Sequence, residues 1–77
     1  MKLSEAIALR VKNLLNKKSL KPYFLFKEGG IPRSTISNLW SNHINNVSTD
    51  LVYQICSTLD ISLEKFFDDH IFENVYN

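Results

Sequence analysis

One short stretch of the sequence gathers side chains that are suited to recognising another molecule. Residues 32–39 read PRSTISNL, with Ile36 and Leu39 at the spacing of one apolar helix face. Four polar side chains project away from that face: Arg33, Ser34, Ser37 and Asn38. An arginine can pair with guanine O6 and N7, and an asparagine can pair with adenine N6 and N7. The stretch therefore has the chemistry that reads base edges, although a polar outer face is also typical of any surface helix.

The residues around this stretch predict a helix-turn-helix arrangement. Pro22 is favoured in the first turn of a helix, and the glycine pair at residues 29–30 is an expected helix end. A second helix then follows over residues 32–40. In such a motif the second helix lies in the major groove of DNA, and residues near its N-terminus contact the bases.

The rest of the chain supplies three more predicted helices and no strand. Ser4 is a candidate cap for the first helix, Ser48 or Thr49 for the fourth, and Ser62 for the fifth. The apolar residues of these helices that are expected to face inward are Ile7, Val11, Leu14, Leu15, Val52, Ile55, Cys56, Leu59, Leu63, Phe66 and Phe67. Residues 41–46 are mostly polar and are predicted to form a loop. The sequence therefore predicts an all-α domain of five helices.

The composition is that of an ordinary small globular domain. The chain has 77 residues, of which 44% are apolar and 22% are charged. No apolar run approaches the roughly 20 residues that span a bilayer, and residues 1–10 lack the apolar block of a signal peptide. We therefore expect a cytoplasmic protein without a membrane partner, with a domain at residues 1–69 and a short tail at residues 70–77.

The net charge of +1 conceals a division of charge along the chain. Residues 1–33 carry eight basic and two acidic residues, a net charge of +6. Residues 34–77 carry one basic and six acidic residues, a net charge of −5. Such asymmetry favours a surface that meets a polyanion, but it also fits solvated helices whose charges happen to segregate.

Residues that could support catalysis or metal binding are too scattered to predict an enzyme. His43 and His70 lie 27 positions apart without a cysteine or carboxylate at ligand spacing, so no metal site is expected. Cys56 is the single cysteine, and no basic neighbour is expected to lower its pKa, which favours a packed thiol over a redox sensor. The serines and histidines form no recognisable nucleophile arrangement. We therefore expect no catalysis, no cofactor and no small-molecule substrate.

Three segments, taken in order, carry a resemblance to a known family. They are RVKNL at residues 10–14, GIPRSTISNL at residues 30–39, and residues 51–67, which include ICSTLDISL. Together they resemble the helix-turn-helix family of phage Cro and lambda-type repressors, often called the XRE family. The resemblance implies a five-helix, lambda-repressor-like fold that binds double-stranded DNA, usually as a dimer on a two-fold-related operator. It also implies a transcriptional regulator, which we expect to be a repressor of phage, plasmid or mobile-element type.

The same resemblance assigns DNA contacts to individual residues. The base-reading positions of the family fall on Arg33, Ser34 and Asn38. The expected contacts to the DNA backbone are Lys21, Tyr23, Thr35, Ser37, Asn42 and His43. Pro22 stands where the family usually has a glutamine, so Lys21 and the Tyr23 hydroxyl are the expected substitutes at the phosphates.

Two further departures from the family concern packing. Leu15 and Trp40 stand where the family commonly has an Arg–Glu pair, and such a replacement by apolar residues is often neutral or stabilising. Trp40 is therefore expected to be a core residue that joins the first and third helices, rather than a group that stacks on DNA. Phe26 stands where the family has a small residue, and a large ring there could change the angle between the second and third helices.

The end of the chain leaves two alternatives open. Phe67, Ile71 and Val75 recur at intervals of four residues, with Phe72 and Tyr76 beside them. This apolar surface either packs back on the domain or forms a dimer surface, which would place two recognition helices about one DNA turn, roughly 34 Å, apart. The alternative to a DNA-binding regulator is a protein-interaction module, such as an antirepressor or an antitoxin. Such a module would work through the acidic second half of the chain and this apolar tail.

Overall fold

Five α-helices make up the fold of the described residues, 1–41 and 47–76, in the computed structural model of the chain. They are α1 (Leu3–Lys17), α2 (Tyr23–Gly29), α3 (Arg33–Trp40), α4 (Thr49–Thr58) and α5 (Leu63–Phe67), followed by a 3₁₀ turn at His70–Phe72. Within those residues the strand-like pairing is limited to an isolated bridge between Lys2 and Tyr76. The prediction of an all-α domain of five helices is confirmed. None of the described helices is long and apolar enough to cross a membrane.

All five helices contribute to one apolar core. Its buried members are Ile7, Ala8, Val11, Leu14, Leu15, Leu25, Ile31, Ile36, Leu39, Val52, Ile55, Cys56, Leu59 and Phe66. The inward-facing residues predicted for the first and fourth helices are all among them, as are Ile36, Leu39 and Phe66, whereas Trp40, which was predicted as a core residue, is half-buried. The prediction was wrong for Leu63 and Phe67, which are 44% and 41% exposed. Phe66 lies at one edge of the apolar stripe of α5, about 60° around the helix axis from Leu63 and about 100° from Phe67, and the helix turns that edge to the core.

The helix N-termini show which caps can be predicted from local sequence. The Ser62 hydroxyl accepts a hydrogen bond from the Lys65 N–H at 3.1 Å, as predicted, and of the two caps predicted for α4 it is Ser48 whose hydroxyl accepts the Leu51 N–H, at 3.1 Å. The predicted cap at Ser4 is wrong, because Ser4 is buried inside α1 and the N-cap is Lys2. The first N–H groups of α1 are accepted by other groups than the side chain of the N-cap residue. The Glu5 carboxylate accepts the Lys2 N–H at 3.0 Å, and a carbonyl from the chain end accepts the Leu3 N–H at 2.8 Å.

Arg10 ties α1 to the end of α5. Its Nε donates to the Phe66 carbonyl at 2.7 Å, and Nη2 donates to the Lys65 carbonyl at 2.8 Å. Nη1 donates to the Asp69 carboxylate at 3.1 Å in a pair whose side chains are 14% and 24% exposed. The guanidinium therefore satisfies the last carbonyls of α5 and places positive charge at the negative end of that helix.

The tail packs back on the domain, which is one of the two alternatives that the sequence left open. The Phe72 ring lies 6.0 Å from the Phe66 ring and 4.9 Å from the Phe67 ring, measured between centroids. The Tyr76 carbonyl accepts the Leu3 N–H at 2.8 Å, and the Tyr76 N–H donates to the Met1 carbonyl at 3.2 Å. The last turns of the chain thus hold the first turn of α1 in place. Phe67 and Tyr76 remain 41% and 58% exposed.

Candidate nucleic-acid interface

Helices α2 and α3 are joined by a tight turn at a glycine. Gly30 has a φ of +67°, a left-handed conformation that side chains with a Cβ rarely adopt. Its N–H donates to the Phe26 carbonyl at 3.0 Å, and the N–H of buried Ile31 donates to the Leu25 carbonyl at 3.2 Å. These bonds close the C-terminus of α2 in the manner typical of a left-handed helix end. Pro32 follows as the N-cap of α3, so the helix-turn-helix arrangement predicted for residues 22–40 is present.

Helix α3 rests on the core along one side and leaves its polar side exposed. Ile36 and Leu39 are 8% and 0% exposed. The side chains predicted to read bases are all on the exposed side: Arg33, Ser34 and Asn38. Within the described part of the chain these three side chains make no hydrogen bond to protein, so their donors and acceptors are available to a ligand. The arrangement provides a forked cation, a hydroxyl and an amide along about one and a half turns of helix.

Four of the residues expected at the DNA backbone lie in the described part of the chain. Lys21, Tyr23 and Ser37 are exposed, and Thr35 is half-buried. Asn42 and His43 lie outside the described residues.

The structure separates the basic side chains that serve the fold from those that face solvent. Arg10 is held at the end of α5, and Lys12 is half-buried with its Nζ 3.3 Å from the Trp40 carbonyl. Five basic side chains near the helix-turn-helix are exposed: Lys17, Lys18, Lys21, Lys27 and Arg33. The acidic residues of the second half lie on α4, α5, the link between them and the tail. The charge division along the sequence therefore separates a net basic region, α1 to the start of α3, from the acidic elements that follow it.

Arg33 lies against two aromatic rings, a contact that the sequence reasoning missed. Its guanidinium carbon is 4.8 Å from the centroid of the Phe26 ring and 5.3 Å from that of the Tyr23 ring. The two rings are themselves 5.7 Å apart with an interplanar angle of 40°. A signal was present in the sequence, since residues 23 and 26 fall on one face of a short helix that precedes Arg33.

The same residues line a shallow apolar groove of about 370 Å³ between α2 and α3. Its walls are formed by Pro22, Tyr23, Phe26, Arg33, Ile36, Ser37 and Trp40. The Phe26 ring is 38% exposed, whereas Leu25 beside it is fully buried. The large ring that departs from the family pattern therefore lies in the groove at the surface, and Leu25 fills the core.

Trp40 joins α1 and α3, as expected, but from the rim of the core. The side chain is half-buried and packs against the core residues. The Lys12 ammonium lies 5.8 Å from the centroid of its ring and 3.3 Å from its backbone carbonyl. Leu15, the other apolar replacement, is 1% exposed.

Cys56 is a buried thiol with a raised pKa. Burial raises the pKa because the thiolate would be poorly solvated, and the positive charge of Arg10 lowers it by a smaller amount. The expectation that no basic residue acts on this thiol was therefore wrong, although burial prevails. Within the described residues, no three His, Cys, Asp or Glu side chains are grouped so as to hold a metal ion.

A short helix, a glycine turn and a second helix with an exposed polar face define a helix-turn-helix DNA-binding domain. Comparison with protein families agrees with this class. Residues 10–69 match the Cro/C1-type HTH DNA-binding domain, and the chain belongs to that family. No significant match was found among curated proteins or among solved structures. The chain is thus a DNA-binding regulator of the helix-turn-helix type, consistent with the resemblance to the XRE family.

Proposed function

We propose that this protein is a sequence-specific repressor that occupies an operator in double-stranded DNA. The observation that carries this proposal is the exposed face of α3, where the side chains of Arg33, Ser34 and Asn38 make no hydrogen bond within the described part of the chain. With α3 in the major groove, Arg33 pairs with a guanine edge and Asn38 with an adenine edge. Occupancy of the operator by the domain then blocks transcription in the cytoplasm, without catalysis and without a cofactor. A regulator with a Cro/C1-type domain suits a phage, plasmid or other mobile element.

Contacts to phosphates supply most of the affinity in this proposal. The proposed contacts are Lys21, Tyr23, Thr35, Ser37, Asn42 and His43. The exposed lysines at positions 17, 18 and 27 add further positive charge to the basic part of the chain. Neutralising phosphates releases counterions from the DNA, so affinity falls steeply as salt concentration rises. The acidic elements outside the helix-turn-helix repel DNA and favour docking by the basic face.

The proposed regulator acts as a homodimer through the apolar surface of the tail. The residues of this proposed dimer surface are Phe67, Ile71, Phe72, Val75 and Tyr76. Phe67 and Tyr76 have the most accessible rings among them, while Phe72 packs against the core. A two-fold dimer would read an inverted repeat, with the centres of its half-sites about 34 Å apart or a multiple of that distance. Sedimentation of Phe67→Ser and Tyr76→Ser variants tests this surface, because both should sediment as monomers at concentrations where the wild type is dimeric.

Selection of bound sequences from a random pool of duplexes tests the proposed function. The expected result is a recurrent motif, present as an inverted repeat if the protein binds as a dimer. Recovery of sequences without a motif would contradict sequence-specific binding.

A protein-interaction module, such as an antirepressor or antitoxin, is the second candidate. The exposed apolar side chains of Leu63 and Phe67 on α5, beside acidic Glu64 and Asp68, favour it. Binding to random-sequence duplex DNA at low salt discriminates the two. A repressor should bind such DNA through its phosphate contacts, whereas a module that binds only proteins should not bind it.

A further inference from the structure

Two large aromatic side chains on α2 lie at the surface and are not part of the core. Tyr23 is 52% exposed and Phe26 is 38% exposed. The core position of the helix is taken by Leu25, which is fully buried. Neither ring is one of the buried core residues, and the two rings share one neighbour at the surface.

That common neighbour is Arg33, whose guanidinium carbon lies 4.8 Å and 5.3 Å from the two ring centroids. Both distances are within the roughly 6 Å over which a cation is attracted to an aromatic face. Within the described residues, no carboxylate forms an ion pair with Arg33; the ion pair found there joins Arg10 to Asp69. The Arg33 side chain is therefore held by rings rather than by hydrogen bonds.

Contact with the two aromatic rings leaves the N–H donors of the Arg33 guanidinium free to bind a ligand. The N–H donors of an arginine lie in the plane of the group, whereas an aromatic ring attracts the cation without consuming a donor. A long, exposed arginine otherwise samples many rotamers, and it loses that freedom when it binds. Because the rings restrict Arg33 before it binds, the side chain loses less conformational entropy when it binds a ligand that fits this restricted position.

We propose that Tyr23 and Phe26 are positioning residues that hold Arg33 for a guanine edge and so set the preference for one base pair. This inference rests on the proposed function of α3 as the base-reading helix. The two rings contact Arg33 rather than the base. Their removal should therefore reduce discrimination at the base pair that Arg33 reads, with much smaller effects at other base pairs.

The test compares the affinity of the full chain for its selected operator and for operators changed at single base pairs. The base pair read by Arg33 is the one at which Arg33→Ala abolishes the preference. Phe26→Leu and Tyr23→Leu keep apolar bulk but remove a ring, and Tyr53→Leu is the matched control, since Tyr53 is a 62% exposed tyrosine on α4. Tyr23→Phe keeps the ring and removes only the hydroxyl. Thermal melting of each variant verifies that it is folded.

We expect Phe26→Leu and Tyr23→Leu each to reduce discrimination at that base pair about two- to five-fold, the value for an exposed cation–ring contact. Tyr53→Leu should leave it unchanged. Tyr23→Phe should preserve discrimination while weakening binding to both duplexes equally, if the hydroxyl contacts a phosphate. In an Arg33→Ala background, Phe26→Leu should have no further effect on discrimination, because the group that it positions is absent.

The outcomes separate this inference from the function on which it rests. If Arg33→Ala removes the preference but neither leucine variant reduces it, the positioning role is wrong and the proposed function stands. If the wild type has no sequence preference, the proposed function is wrong and the positioning role falls with it. Proton NMR of the DNA-free protein tests the contact separately. Ring currents should shift the Arg33 side-chain resonances upfield, Phe26→Leu and Tyr23→Leu should each reverse part of that shift, and unshifted resonances in the wild type would overturn the inference.

Discussion

Replacing Arg10 tests how the helical scaffold beneath the recognition helix is held together. Arg10 is the one side chain that reaches from α1 to the Lys65 and Phe66 carbonyls and to Asp69 in the described structure. Arg10→Met keeps the aliphatic length of the side chain but removes all three donated bonds. The change should therefore free the end of α5 and the first residues of the tail from α1.

The expected cost follows from the burial of each bond. The bond to the Lys65 carbonyl is exposed, so water replaces it at little cost, whereas the bonds to Phe66 and Asp69 are partly buried. Hydrogen bonds that involve a charged group contribute about 1.5–3 kcal/mol each, and partial exposure puts these two near the lower limit. We expect a loss of about 2–3 kcal/mol. A domain of this size has about 4–12 kcal/mol in total, so the loss is a large share of it.

Urea unfolding followed by circular dichroism measures this loss of stability. One further variant isolates the ion pair, and another serves as a control. Asp69→Asn removes the ion pair but keeps an oxygen for the Ile71 N–H, which Asp69 accepts at 3.0 Å, and should cost about 0.5–1 kcal/mol. Lys17→Ala, at an exposed site on the same helix, should change stability by less than about 0.5 kcal/mol. A cost for Arg10→Met no larger than that of Lys17→Ala would refute the assignment of Arg10 as the link between α1 and α5.

Three further predictions follow from other parts of the structure. Gly29→Ala should destabilise the domain by about 1–3 kcal/mol in urea unfolding, because a Cβ at position 29 would collide with the Thr58 side chain. Gly30→Ala should instead cost about 1 kcal/mol from its positive φ alone, and Thr58→Ala should rescue only Gly29→Ala. Because burial raises the pKa of Cys56, the neutral thiol makes a contribution to stability that is fully present below the ordinary thiol pKa of 9.0. That contribution is lost as the pH rises through the pKa of the folded state. This alkaline loss should disappear in Cys56→Ala. Lys21→Ala should weaken binding to all duplexes alike and reduce the slope of log affinity against log salt by about one per protomer.

Local sequence was sufficient where a structural feature depends on neighbouring residues. The caps at Ser48 and Ser62 depend on a hydroxyl three residues before the N–H that it accepts; Ser62 was predicted, and Ser48 was one of two neighbouring residues predicted for α4. The turn at Gly30 depends on a residue that tolerates a left-handed backbone. The exposed position of Arg33 and Asn38 on α3 followed from the apolar spacing of the same helix.

Sequence reasoning failed where the partner lies far along the chain. The start of α1 was placed at Ser4 because serine is a favoured N-cap, whereas the Leu3 N–H is accepted by the distant Tyr76 carbonyl. The same distance hides the role of Arg10, whose partners lie more than fifty residues away. In a chain this short, such links from end to end hold the scaffold on which the helix-turn-helix is built.

The contact between Arg33 and the α2 rings shows a different limit. Phe26 was recognised as a departure from the family pattern, and its effect was sought in the packing angle of the helices. The structure places the ring in a surface groove, 38% exposed, beneath the guanidinium. Apolar spacing distinguishes the buried from the exposed side of a helix, but it does not indicate which exposed side chains meet.

The central claim is that the exposed face of α3 selects a DNA sequence, and comparison of selected motifs tests it most directly. Wild type, Arg33→Ala and Asn38→Ala are each carried through selection from the same random duplex pool, with Tyr53→Leu as the control. We predict one motif for wild type and control, with the preference at a single and different base pair relaxed by about 1–3 kcal/mol in each of the two α3 variants. Recovery of an unchanged motif by both Arg33→Ala and Asn38→Ala would contradict the claim.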